Sequence, residues 1–294
     1  MRFLPAFLFL LGISALTADV VRDLPYVRDA GPLQKLDVHR PALPSGKRLP
    51  VVVAIHGGGW KAGDKADPSF IDPLATWFGN RGFLVVSLNY RLSPAVRHPG
   101  HVRDVRAALA WIGKNIPRYG GDPAQIYLAG HSAGAHLAAL AAVNRGALAA
   151  AGADPSALRG VLLFEGVAYD LPVQMRLRSP FPKTGGMYAA AFGIEKAGLI
   201  DASPVYQIDG TPPPVLLLHA RMERSSRLQA KIFAHALRKA GGRPWVRSIW
   251  GKNHGNLLST LLVPGDATSR ELSDFLGLAD KGGNNLDLTK IPEE

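Results

Sequence analysis

Six short apolar runs recur along this chain, at residues 51–55, 83–88, 125–129, 160–164, 215–219 and 245–249, with stretches of helical spacing such as 101–116 and 226–240 between them. A strand that is apolar along its whole length, rather than at alternate positions, buries both faces and needs cover on both sides of its sheet. Strands that alternate with helices are joined by crossovers and run parallel. The expectation is an α/β fold, with a mostly parallel central sheet and helices on both faces. No linker-like segment interrupts the pattern from Val51 to Ile249, so the 294 residues read as one large domain. With 47% hydrophobic and 19% charged residues, the chain can bury a substantial core.

The run Gln125-Ile126-Tyr127-Leu128-Ala129 leads directly into Gly130-His131-Ser132-Ala133-Gly134 and then into an alanine-rich stretch of high helix propensity at 136–143. Strand, small-residue turn and helix in that order are the context of a nucleophile elbow, in which a serine is held in a sparsely allowed conformation above the sheet. Gly130 and Gly134 supply the small flanks such a turn needs. An ordinary loop serine is the alternative for an isolated G-x-S-x-G string, but the flanking strand and helix argue against it.

A second motif follows an earlier run. Val51-Val52-Val53-Ala54-Ile55 continues into His56-Gly57-Gly58-Gly59-Trp60, where consecutive glycines leave backbone N–H groups unobstructed. Acyl transfer needs such donors where negative charge develops on a carbonyl oxygen. Gly58 and Gly59 are the candidate oxyanion donors, with the N–H of Ala133 as a third.

On these two motifs the chain resembles the α/β-hydrolases of the esterase and lipase type, close to small carboxylesterases with an H-G-G-G-W oxyanion loop and a G-x-S-A-G elbow. Residues 34–38, 89–94, Asp104 and 166–171 extend the resemblance over roughly 20–275. It implies a catalytic triad in the order serine, acid, histidine. His254, in the polar glycine-bounded loop after the strand-like 245–249, falls where this type keeps its histidine, so it is the expected proton shuttle for Ser132. His56, His131, His98, His101 and His235 lie in the oxyanion loop, in the elbow, or in and beside helices.

The acid departs from the pattern. After 214–219, the glycine, polar residue and aspartate of such esterases are replaced by Ala220-Arg221-Met222-Glu223. Matched residue by residue, Glu223 stands at the aspartate position, with an extra methylene that displaces its carboxylate by about 1.5 Å. Pairing with Arg221 or Arg224 would instead make it a surface charge. Asp170 is the reserve acid, or else a turn cap. Asp104 and Arg91 read as an ion pair bracing the loop beneath the oxyanion segment, and Trp60 and Trp77 as core or pocket wall.

Two further segments carry expectations. The insertion at 172–200 places Met175, Phe181, Met187, Tyr188 and Phe192 either in a small cap over the site or in a helix at the sheet edge. Met1-Arg2 followed by the apolar stretch 3–16, with Ala15 and Ala18, has the layout of a secretory signal at 1–18, an uncleaved anchor being the rival. The hydrolase domain then spans 19–280, and 281–294 reads as a flexible tail. Export to a periplasm or beyond is the expected location, with no stable membrane span.

The formal net charge of +11 is scattered, with no basic run or nucleic-acid module, so nucleic acid is not an expected partner. The chain has no cysteine, no H-E-x-x-H and no phosphate-binding glycine loop, so neither metal nor cofactor is expected. The functional expectation is a serine hydrolase of small carboxylic esters. Amide chemistry, as in an arylformamidase or a peptidase-like enzyme, is the alternative within enzymes, and an exported binding protein with a degraded triad is the alternative outside them. Oligomeric state is not legible.

Overall fold

The computed structural model describes residues 19–41, 46–177 and 184–278. The expected signal segment at 1–18, Phe181 and the tail at 281–294 lie outside these residues. Strands β1 (Asp19–Pro25), β2 (Lys35–Arg40), β3 (Leu49–Ile55), β4 (Leu84–Leu88), β5 (Gly121–His131), β6 (Leu158–Phe164), β7 (Val215–Ala220) and β8 (Pro244–Ile249) form one sheet in the order β1-β2-β4-β3-β5-β6-β7-β8. From β4 to β8 all neighbours are parallel, while β1 pairs with β2, and β2 with β4, antiparallel. The six apolar runs are the parallel strands. The antiparallel pair was not expected as strands, because β2 carries a charge, Asp37, inside its buried stretch. That carboxylate is fully buried and is matched by Lys65 Nζ at 2.8 Å and by the Asp23 N–H at 2.7 Å.

The helices are α1 (Pro68–Gly79), α2 (Gly100–Asn115), α3 (Ala133–Val143), α4 (Arg145–Ala150), α5 (Leu171–Arg176), α6 (Thr184–Phe192), α7 (Lys196–Asp201), α8 (Arg224–Lys239), α9 (Asn256–Ser259) and α10 (Ala267–Phe275). Successive residues of a strand face opposite sides of the sheet, and β3 shows the consequence. Val51, Val53 and Ile55 join a core with α2, α3 and α8, whereas Val52 and Ala54 join a second core with α1, α9 and α10. Every residue of α3 is buried, and its alanines let the helix lie close against the sheet. Among the described residues no helix is long and apolar enough to cross a membrane.

Parallel strands point their C-terminal ends to one edge, where ligands bind in open α/β sheets. The ends of β3, β5, β6, β7 and β8 deliver the loops beginning at His56, Ser132, Glu165, Arg221 and Trp250 to that edge.

Candidate active site

Ser132 occupies the turn between β5 and α3 at φ 54°, ψ −115°, a conformation that side chains rarely adopt. Its N–H donates to the Phe164 carbonyl at 2.9 Å, which ties the turn to the end of β6. The flanking glycines answer to close packing. A Cβ on Gly134 would lie 2.0 Å from the Ile55 carbonyl oxygen, and one on Gly130 would lie 2.4 Å from that of Gly134.

The loop after β3 passes directly beside this turn, since a Cβ on Gly57 would stand 3.3 Å from that of Ser132. Gly58 and Gly59 both have positive φ, 98° and 60°, which glycine adopts freely. No turn, loop or cap acceptor among the described residues takes the N–H of Gly58, Gly59 or Ala133. His56 does not enter the site. It stacks on Tyr90 with ring centroids 4.5 Å apart and bonds through Nδ1 to the Gly57 carbonyl at 2.8 Å, bracing the loop.

His254 lies between β8 and α9 in a turn closed by Asn253 and Asn256. Asn253 Oδ1 accepts from the N–H groups of Gly255 and Asn256, and Asn256 Oδ1 accepts from that of Asn253 at 2.7 Å. The turn presents His254 Nε2 to Ser132 Oγ at 3.0 Å, across 122 residues of sequence. His131 holds the other side of the loop, donating from Nε2 to the His254 carbonyl at 2.8 Å. Burial pushes the His131 pKa down to about 4, so the ring is neutral at physiological pH.

The carboxylates fall elsewhere than the sequence suggests. Glu223 sits at the N-cap of α8, and its side chain makes no hydrogen bond or ion pair with His254 or with either flanking arginine. Arg221 instead lies over the Trp250 ring at 3.9 Å. Asp170 caps α5, accepting from the Val173 N–H at 2.9 Å and the Tyr206 hydroxyl at 3.1 Å. The carboxylate that meets His254 belongs to Glu165, with Oε2 3.4 Å from Nδ1. Glu165 is the first residue beyond β6 and is completely buried. A lone acid directly behind an apolar run was its signal in the sequence, one residue ahead of the 166–171 stretch.

Asp104 and Arg91 form a two-pronged pair at 2.8 Å, and Asp104 also accepts from the Arg91 N–H and Gln34 Nε2. Ser93, in the same loop as Arg91, donates its N–H to the Trp60 carbonyl at 2.8 Å. Trp60 is fully buried against Tyr188 and Phe192 of α6. The same helix lays Met187 on the oxyanion loop, its sulfur 2.2 Å from where a Gly59 Cβ would stand. Met175 packs against the main core. Of the two arrangements open for the insertion, α6 therefore covers the glycine loop.

The BD-FAE family model matches residues 36–158. Esterase LipQ of Mycobacterium tuberculosis is 33% identical over 265 residues, covering 87% of this chain and 62% of LipQ. The probable carboxylic ester hydrolase LipM of the same organism is 34% identical over 240 residues, covering 74% of this chain and 51% of LipM. This chain thus spans about half to three fifths of the length of those relatives. Among solved structures, esterase B of Lactobacillus rhamnosis superposes with a TM-score of 0.74 at 22% identity, over 89% of this chain and 87% of that one. A truncated carbohydrate esterase from gut microbiota gives 0.72 at 21% identity, over 87% and 94%. In strand order, in the turn at Ser132 and in the glycine loop beside it, the chain thus shares the fold of these solved esterases and is similar in sequence to LipQ and LipM.

Proposed function

We propose that this chain hydrolyses carboxylic esters through a covalent acyl intermediate on Ser132. The observation that carries the reading is the 3.0 Å approach of His254 Nε2 to Ser132 Oγ. A silent binding protein would keep the elbow without needing an imidazole aligned on it. The likeness to LipQ, an esterase, and LipM, a probable carboxylic ester hydrolase, favours esters over amides.

In this reading the Ser132 oxygen attacks the ester carbonyl carbon while its proton passes to His254 Nε2. The negative charge then carried by the carbonyl oxygen is met by the N–H groups of Gly58, Gly59 and Ala133. Collapse breaks the bond to the alcohol oxygen, which receives the proton from His254 and leaves. Water then attacks the acyl-serine with the same proton relay, releasing the acid and restoring Ser132. Met187 stands over the oxyanion loop, where it limits the space for the substrate.

The test uses p-nitrophenyl acetate for turnover and a fluorophosphonate for covalent labelling. Wild type is expected to turn over and to carry the label on Ser132, and Ser132→Ala and His254→Ala to lose at least about 10³-fold in kcat. Wild-type protein that neither turns over nor labels would refute the proposal. Export through the segment at 1–18 belongs to the same reading, supported by its apolar run behind Arg2. The mass of the chain recovered outside the cell tests it, and a chain retained whole in the cytoplasm refutes it.

A further inference from the structure

We infer that Glu165, at the end of β6, is the carboxylate that orients His254, and that the position after β7, where Glu223 stands, has lost that role. The inference rests on the Ser132–His254 reading above.

Glu165 is placed as an orienting acid must be. Its Oε1 accepts the N–H of Ala220, the last residue of β7, which fixes the carboxylate at the end of the neighbouring strand. Its backbone N–H donates to the Leu218 carbonyl at 2.8 Å. Oε2 is buried, lies 3.4 Å from His254 Nδ1 and has no hydrogen bond to any other described group. Such contacts tighten when substrate is bound and the imidazole takes a proton. A buried carboxylate with one unsatisfied oxygen is costly unless a positive charge forms beside it, and the imidazolium of the reaction is that charge.

The other titratable groups around Glu165 do not supply it. Tyr169 is fully buried and kept protonated, its pKa raised by burial and by the Glu165 charge. His131 and His219 are both pushed towards the neutral form by burial. Glu165 also holds φ 49°, a strained value for a residue with a side chain. A strand-end clamp on Ala220 would not require an acid, because a glutamine oxygen accepts the same N–H.

That equivalence supplies the test. Glu165→Gln keeps size and clamp but removes the charge and puts an amide against Nδ1. We expect kcat on p-nitrophenyl acetate to fall about 10²–10⁴-fold with KM within threefold and the melting temperature little changed. Glu223→Gln is expected to stay within threefold of wild type in both constants. Glu165→Asp keeps the charge but holds it about 1.5 Å short of Nδ1, and is expected to lose kcat to a similar extent. A far-downfield Nδ1–H proton resonance, present in wild type and Glu223→Gln, should vanish in Glu165→Gln and in His254→Ala. Glu165→Gln with near wild-type kcat overturns the inference, as does a collapse of Glu223→Gln. Retention of that resonance in Glu165→Gln, or a wild-type kcat in Glu165→Asp, also overturns it, which keeps the test decisive if either variant folds less well. Failure of the parent reading is seen separately, as wild-type protein whose Ser132 takes no fluorophosphonate label.

Discussion

Replacing Gly134 by alanine tests how tightly the elbow is docked on the oxyanion loop. The added methyl would lie 2.0 Å from the Ile55 carbonyl oxygen and 2.5 Å from that of His56. Ordinary carbon–oxygen contact begins near about 3.3 Å, so α3 and the end of β3 must part by roughly 1 Å. Both obstacles are backbone, and neither can turn aside as a side chain would. Overpacking of this kind destabilises by about 1–3 kcal/mol. The functional loss should be larger in proportion. Ser132 precedes α3 and Gly58 follows β3, so the same parting separates the proposed nucleophile from the proposed oxyanion donors, and a 1 Å error in such geometry costs about 10²-fold. Gly113→Ala is the matched control. Gly113 lies inside α2 with nothing within 4 Å of an added Cβ, and the exchange should stabilise by about 0.4–1 kcal/mol with kcat unchanged. Thermal melting and p-nitrophenyl acetate kinetics, normalised to sites titrated with fluorophosphonate, measure both. A Gly134→Ala protein with wild-type melting and wild-type kcat would refute the close docking of α3 on β3.

Asp104→Ala removes the acceptor for three donors of Arg91 and one of Gln34, and because Arg91 is part-exposed and can be solvated it should lower stability by about 2 kcal/mol in urea titration. Because the Arg91 loop also holds the Trp60 carbonyl through Ser93, kcat should fall with it, and an unchanged urea midpoint would show the pair to be dispensable. Acid should destabilise the fold before any carboxylate is titrated. His101 and His136 are fully buried, with pKa values lowered by burial to about 4 and about 3. The unfolded chain therefore takes up their protons first, so their contribution is complete above about pH 6.5 and is lost as pH falls towards 4. Each ring accounts for about 2 kcal/mol between pH 7 and pH 5. Denaturant midpoints that stay level across that interval would contradict the buried neutral state.

Much of the architecture was legible because burial on both faces leaves a plain mark. Val51 to Ile55 and Val161 to Phe164 are apolar at every position, and they are interior strands. The elbow and the glycine loop were legible for a related reason, since Gly130, Gly134, Gly58 and Gly59 meet local demands that glycine answers best. The edge pair β1–β2 was not. Its buried Asp37 depends on Lys65, 28 positions later in the chain, and hydropathy does not show that such a charge is matched. The role of α6 was equally hidden, because only the packing of Met187 on Gly59 separates a covering helix from one at the sheet edge.

Sequence order points to Glu223, whereas the carboxylate beside His254 is that of Glu165, and the reason is geometric. The imidazole defines a point in space, whereas sequence order names only a strand. In a parallel sheet the ends of neighbouring strands stand about 4.8 Å apart, so one point can be served from either of two strands. Phe164 of β6 pairs with Leu218 of β7, and a glutamate one residue past Phe164 reaches across to the N–H of Ala220. On the other strand, Glu223 comes three residues after Ala220 and already stands at the N-cap position of α8, where its carboxylate finds neither the imidazole nor an arginine. A shift of the acid from one strand to its neighbour therefore requires no change in the sheet. It requires a side chain long enough to span one strand spacing and a backbone held at φ 49°, and Glu165 has both.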